Sequence, residues 1–268
     1  MNRMTETSTR VNVLGVGVSP TTMSETLALI DRHLRGDEAG YICVTGVHGI
    51  MEAQKSPDLK NVINSSLTTI PDGRPTVWVG WLGGFRQMQQ VTGPNLMLQL
   101  CARSVEKGYT HFFCGGGPGI ADELKQALQA RFPGLKVVGT YTPPFRPLSV
   151  AEECELTSQV ARLKPDLFWI GLSTPKQERF MAEFLPKLDT KLMLGVGAAF
   201  DIHTGKIADA PEWLKKTGLQ WLHRLVQDPK RLWKRYLTNN PRFLYLITMQ
   251  LLRIKQYELT ANTTIVVR

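Results

Sequence analysis

The sequence predicts an α/β protein, a largely parallel β-sheet covered by helices on both faces, followed by an all-helical appendage. Three observations predict it. Short runs rich in β-branched and aromatic residues alternate with amphipathic segments through most of the 268 residues, which is the pattern of repeated strand–helix units. The helical segments open on capping signals. After about Gly205 the strand-like runs stop and only helical patterns continue. The length suits one large core with an addition, because single cores stop growing near about 250 residues. The expected boundaries are a disordered N-terminus over 1–10, an α/β core over 11–208 and a basic, amphipathic helical appendage over 209–268.

Taken in order, the strand-like runs are RVNVLGVGV, YICVTG, LTTI, HFFCGG, LKVVGTY, DLFWIGLS and KLMLGVGAAF. Thr22 and Glu25 form a capping-box pair ahead of Met23, Leu27, Ile30 and Leu34, which share one helix face. Ser56-Pro57 and Thr174-Pro175 each place a hydroxyl before a proline, the signature of an N-cap followed by a first-turn residue. In the appendage, Asp228-Pro229 and Asn240-Pro241 are the expected helix breaks.

Charge is distributed unevenly. Thirty-two Lys and Arg against 23 Asp and Glu give a formal +9. Between Trp213 and Lys255 lie ten Lys and Arg and a single acid, Asp228, so this stretch alone carries a surplus of nine. The cations are interleaved with Trp213, Trp221, Trp233, Tyr236, Phe243 and Tyr245. Such a mixture suits an anionic membrane surface, where rings sit at headgroup depth and cations meet phosphate. Nucleic acid is not the expected partner, since a phosphate-binding face has no use for FLYLITMQLL beside it. That apolar segment is too short to cross a bilayer and is compatible with self-association. Cys43, Cys101, Cys114 and Cys154 show no metal-binding spacing and read as thiols of a reducing compartment. The polar first ten residues lack the apolar core of a signal peptide, so a cytoplasmic location is expected.

In open parallel sheets ligands bind where strands end, so strand-to-helix junctions are the candidate sites. Gly115, Gly116, Gly117 and Gly119 follow an apolar strand and open a helix. They read either as a tight turn or as a loop whose backbone approaches a diphosphate. Lys176, Gln177 and Glu178 open the helix after DLFWIGLS, and Gln177 reads either as capping-box partner of Thr174 or as a nucleotide contact. Thr45 and His48 follow a third strand. Asp72, in Pro71-Asp72-Gly73, is either a turn acid or a carboxylate held at a site. No D-x-D pair, H-E-x-x-H, G-x-S-x-G or Cys/His cluster occurs, so neither a metal nor a serine nucleophile is expected.

Five segments in order resemble one family: TGVHGIMEAQKSPDLKNVINSSLTTIPDG, VTGPNLM, FFCGGGPGIADELKQAL, PDLFWIGLSTPKQERFMAEF, and the stretch from GVGAAFDIHTGK to TNNPRFL. Together they are similar to the WecG/TagA/CpsF glycosyltransferases, glycosyltransferase family 26. The resemblance implies a Rossmann-like core that needs no cofactor and an inverting, metal-independent transfer. The implied donor is a UDP-sugar carrying an N-acetylmannosamine-type or glucose-type sugar. The implied acceptor is a polyprenyl-diphosphate-linked sugar, and the implied setting is cell-envelope or exopolysaccharide synthesis at the cytoplasmic face of the plasma membrane. It implies that Asp72 is the general base and that Thr45 and His48 share its site. Gly115 to Gly119 with Lys176, Gln177 and Glu178 would bind UDP, and Arg224, Arg231 and Arg235 would meet the lipid diphosphate and membrane. The chain departs from the family pattern at Val47-His48, where an asparagine is usual nearby. Gln90 and Asp209 stand where arginines are usual, and Gln220 where a glutamate is usual. On the residues alone two rivals stand: a nicotinamide-dependent oxidoreductase and a non-catalytic membrane- or nucleic-acid-binding module.

Overall fold

The computed structural model describes residues 9–259. The expected N-terminal disorder falls almost wholly outside them, as does the end of the appendage beyond residue 259.

The first strand-like run corrects its prediction, because it is two strands. β1 (Val11–Val13) and β2 (Val16–Val18) form an antiparallel hairpin of their own, pairing Val13 with Val16. Leu14 and Gly15 turn the chain at positive φ, 55° and 80°. Leucine is a poor residue for that conformation, and distant side-chain amides hold it there. Gln250 accepts from the Leu14 N–H and donates to the Asn12 carbonyl, while Gln54 donates to the Leu14 carbonyl. Asn64 donates to the Gly15 carbonyl and accepts from the Gly17 N–H.

The other six runs become the strands of one sheet. They are β3 (Gly40–Thr45), β4 (Thr68–Pro71), β5 (Thr110–Gly115), β6 (Lys136–Tyr141), β7 (Leu167–Gly171) and β8 (Leu192–Gly195), in the order β4-β3-β8-β7-β5-β6. The pairs β3/β8, β8/β7, β7/β5 and β5/β6 are all parallel. Helices α1 (Met23–Leu34), α2 (Val47–Ala53), α3 (Pro57–Asn64), α4 (Arg74–Leu82), α5 (Gly93–Lys107), α6 (Ile120–Arg131), α7 (Val150–Leu163), α8 (Lys176–Phe184) and α9 (Ala199–His203) alternate with and flank these strands. From Pro211 the chain is helical: α10 (Glu212–Lys216), α11 (Gln220–Gln227) and α12 (Pro229–Leu251).

The chain divides into two compact units, one made of the described residues of Met1–Thr22, Thr45–Val91 and Ala210–Arg268, the other of Met23–Val44 and Thr92–Asp209. In the second unit the strands are nearly continuous apolar runs, as expected when both faces of a parallel sheet are covered. Phe112 stacks on Phe168 at 4.9 Å, and Phe113 meets Phe200 edge-on at 5.9 Å. His111 and Trp169 stack at 6.0 Å, with the indole N–H donating to His111 Nδ1 at 2.9 Å. In the first unit, α3 packs against β2 and α2, and Ser56 caps α3 by accepting from the Leu59 N–H. Leu232, Phe243 and Ile247 bury one face of α12.

Two helix punctuation signals have different outcomes. Asp228 ends α11 and caps α12 as expected, accepting from the Arg231 N–H at 3.3 Å. Asn240-Pro241 does not break the helix: Pro241 lies inside α12. The carbonyl that loses its helical donor belongs to Leu237, a residue 62% exposed.

Candidate active site

The sequence-derived candidates fall into two clusters, one in each unit. In the first unit, β3 ends at Thr45 and β4 ends at Pro71, and Asp72 follows at once. The Asp72 N–H donates to the Thr45 carbonyl at 3.1 Å. Gly46 lies beside the Asp72 carboxylate, close enough that a Cβ on it would stand 3.8 Å from Oδ2. Gln90 holds the next peptide group, its Nε2 donating to the Asp72 carbonyl at 2.6 Å. A second Nε2 contact from Gln90, at 3.4 Å, reaches Gln220 Oε1 at the start of α11. Asp72 is therefore held through its backbone from both sides, and its side chain sits at the ends of the two strands.

Thr45 is 2% exposed, and its hydroxyl oxygen is buried without a hydrogen-bond partner. A buried hydroxyl left unpaired costs about 1–3 kcal/mol. His48, on the first turn of α2, has Nδ1 3.2 Å from Asn239 Nδ2 of α12. The same Nδ1 lies 3.9 Å from Glu52 Oε1. The appendage cations are placed differently from one another. Arg231 is exposed and ion-paired with Asp228. Arg224, half-buried, lies on α11. Arg235 lies one turn before Asn239; its guanidinium is over the Tyr236 ring at 5.0 Å, and its Nε is buried without a partner.

In the second unit the glycine loop leaves β5 against the end of β7. A Cβ on Gly115 would stand 2.7 Å from the Gly171 nitrogen, and the Gly116 N–H donates to the Gly171 carbonyl at 3.0 Å. Close packing thus accounts for these two glycines. Gly119 has φ 80° and nothing within 4 Å of where a Cβ would be, and both it and Pro118 are exposed. The backbone there is open to a ligand. The first turn of α6 carries two acids, but Asp122 accepts from Thr140 at 2.6 Å and Glu123 pairs with Lys206 at 3.0 Å.

The capping-box reading of Thr174 and Gln177 is corrected. Pro175, not Thr174, precedes α8, and Thr174 Oγ1 donates instead to Glu178 Oε1 at 2.8 Å. Gln177 turns inward: its Oε1 accepts from the Gly197 N–H at 2.9 Å, and its Nε2 donates to Glu178 Oε1 at 3.1 Å. Glu178 is fully buried, with Oε2 unpartnered. Burial raises its pKa, opposed by the hydrogen bonds from Thr174 and Gln177. Lys176, the third residue of this group, is exposed.

Sequence reasoning missed the parts played by Gln90, Asn239 and Gly197. Gln90 and Gln220 stand out only as departures from charged residues, and the contact between them makes both departures one neutral pair. Asn239 carries no local signal beyond preceding a proline motif. Among the described residues no group of three or more His, Cys, Asp or Glu could hold a metal ion. Among them, too, no helix is long and apolar enough to cross a membrane.

A carboxylate and an unpaired hydroxyl at strand ends, in a chain whose second glycine-rich strand end is open to ligand, suit a group-transfer enzyme built on a parallel sheet. Residues 11–257 match the Glycosyl transferase WecG/TagA/CpsF family. The chain belongs to that family and is a glycosyltransferase. It is 27% identical over 186 residues, 69% of this chain and 70% of the relative, to the N-acetylglucosaminyldiphosphoundecaprenol N-acetyl-beta-D-mannosaminyltransferase of Bacillus subtilis (strain 168). A protein of the same name from Bacillus spizizenii (strain ATCC 23059 / NRRL B-14472 / W23) is 27% identical over 206 residues, covering 77% of this chain and 78% of the relative.

Proposed function

We propose that this glycosyltransferase moves a sugar from a UDP-sugar onto a sugar carried by a polyprenyl diphosphate, with inversion and without a metal. The observation that carries the reading is the family match over residues 11–257, joined to the relatives' names, which specify a diphosphoundecaprenol-linked acceptor. The donor sugar is of the N-acetylmannosamine or glucose type.

In this reading Asp72 takes the proton of the acceptor hydroxyl as its oxygen bonds to the anomeric carbon, and the bond from that carbon to UDP breaks. Two features support a base at this position: the backbone N–H and carbonyl of Asp72 are both held, and the carboxylate lies against Gly46, which offers no side chain to block access. The Thr45 hydroxyl and the His48 ring supply polar groups to the same site. The open backbone at Gly117 and Gly119 and the exposed Lys176 take the donor diphosphate, whose departing charge preorganised donors stabilise. Gln177 and Glu178 serve donor binding from behind, by holding the turn at Gly197. Arg224, Arg231 and Arg235 face the lipid diphosphate and the anionic surface of the cytoplasmic leaflet, where the protein is a peripheral enzyme.

Thermal-shift titration against UDP, UDP-sugars and NAD tests the reading. Stabilisation by UDP and UDP-sugars is expected, because a ligand that binds only the folded chain raises its melting temperature. Stabilisation by NAD with no response to UDP would reject it in favour of an oxidoreductase. A salt-dependent shift on DNA with no response to UDP would reject it in favour of a binding module.

A further inference from the structure

We propose that α4, the helix immediately after Asp72, lies on the membrane together with α10 and α11 and seats the Asp72 loop at the lipid headgroups. The proposal rests on the peripheral-membrane reading above and adds an element outside the basic appendage.

α4 is apolar on opposite sides. Thr76, Val77 and Gly80 are buried, the last against Met88. Trp78, Trp81 and Leu82 occupy positions i, i+3 and i+4, which share one face of a helix, and they are 41%, 39% and 71% exposed. The Trp81 indole N–H is already satisfied by the Met88 carbonyl at 2.9 Å, so what this face offers is apolar surface.

That face adjoins the start of the appendage. Gly218, at φ 75°, joins α10 to α11, and a Cβ on it would stand 2.9 Å from the Trp78 ring. Arg74 Nε donates to the Lys215 carbonyl at 3.4 Å. The joined segments also expose Trp213, Leu219, Leu222 and Val226. Arg74 to Val91 and Glu212 to Gln227 contain five Lys and Arg and one acid, Glu212, which pairs with Lys215 at 2.9 Å.

Exposed tryptophan and aliphatic side chains set among cations fit an anionic lipid surface, where rings settle at the interface and Lys and Arg meet headgroup phosphate. A second copy of the chain fits poorly, because it would bring the same cations against these and each chain carries a formal +9. Nucleic acid would use the cations but gains nothing from Leu82 or Val226. The consequence is chemical: Arg74 begins α4 two residues after Asp72, so a helix resting on lipid holds the carboxylate at the level where a lipid-borne sugar is presented.

Co-sedimentation with phosphatidylcholine vesicles, with and without phosphatidylglycerol, decides it. Leu82→Glu is the informative variant because the side chain is mostly in solvent and its loss leaves the fold intact. Phe145→Glu, at a residue 85% exposed in the second unit, makes the same charge change elsewhere. The expected result is that Leu82→Glu weakens binding to the anionic vesicles about tenfold or more, Leu82→Ala weakens it several-fold, and Phe145→Glu binds as the parent does. All three should keep the parental melting temperature and UDP response. Parental binding by Leu82→Glu, with weakened binding by Val226→Glu, would overturn the role of α4 while leaving the appendage reading in place. Failure of the parent protein to sediment with either vesicle would overturn both. A concentration-dependent dimer abolished by Leu82→Glu, with vesicle binding unchanged, would assign the face to a second copy and overturn the proposal.

Discussion

Replacing Gln177 tests whether the helix start after β7 is held by buried polar contacts. The side chain is 2% exposed and fills the space between Gly195 and Gly197, where added Cβ atoms would lie 3.1 Å and 3.7 Å from its amide. Gln177→Ala removes the acceptor of the Gly197 N–H and one of the two donors to Glu178 Oε1. Each buried group stripped of a partner costs about 1–3 kcal/mol. Thr174 still serves Glu178 and Gly197 is only half-buried, so a total of about 3 kcal/mol is expected. Urea unfolding at constant m-value measures it. Gln177→Glu is the sharper variant: it keeps the acceptor for Gly197 but sets a carboxyl oxygen against Glu178. Two buried carboxyls there must share a proton, which raises their folded-state pKa. A raised carboxyl pKa gives stability that is present at low pH and lost as pH rises above the unfolded carboxylate value, so this variant should be weaker relative to the parent at pH 8 than at pH 5. A deficit under about 0.5 kcal/mol for Gln177→Ala, or the same deficit at both pH values for Gln177→Glu, would refute the reasoning.

Two other outcomes follow from buried groups and backbone contacts. Burial holds the pKa of His111 down at about 3 against an ordinary 6.5. The unfolded chain therefore binds a proton that the folded chain refuses, and stability is lost as pH falls below 6.5, by about 2 kcal/mol at pH 5. His111→Gln should show a correspondingly smaller loss between pH 7 and pH 5 in urea unfolding, and an equal loss would assign the acid sensitivity elsewhere. Gln90→Ala releases the Asp72 carbonyl and the contact to Gln220. Turnover should drop about tenfold or more while UDP binding is kept, because small displacements of a reacting group are expensive. Gln90→Arg, which retains a donor to that carbonyl, should restore most of the rate, and parental turnover by Gln90→Ala would remove Gln90 from the account.

Much of this architecture is legible in the sequence because its signals are local. The strands β7 and β8 are unbroken apolar runs, Ser56-Pro57 marks the start of α3, and the end of strand-like pattern near Gly205 marks the change to helices. The errors arise where distant contacts override local preference. Leu14 turns a hairpin that nothing in RVNVLGVGV signals, since Gln54, Asn64 and Gln250 come from other elements. Pro241 lies inside α12, where its ring prevents one backbone hydrogen bond without ending the helix. Thr174 has the chemistry of an N-cap, but buried Glu178 captures its hydroxyl. The candidate site shows the same division. Asp72, Thr45 and the glycine loop are visible as strand-end residues, whereas the contacts of Gln90 to Asp72 and of Asn239 to His48 join positions 18 and 191 residues apart and leave no periodic trace.

In the proposed reaction the Asp72 carboxylate removes the acceptor proton. Asparagine keeps its shape and leaves the backbone contacts to Thr45 and Gln90 in place, while abolishing its basicity. The deciding measurement is the single-turnover rate of UDP release by Asp72→Asn with a UDP-sugar and a soluble polyprenyl-diphosphate-sugar analogue. A fall of about 10²- to 10⁴-fold at unchanged UDP affinity is expected, and turnover at the parental rate would rule out Asp72 as the base.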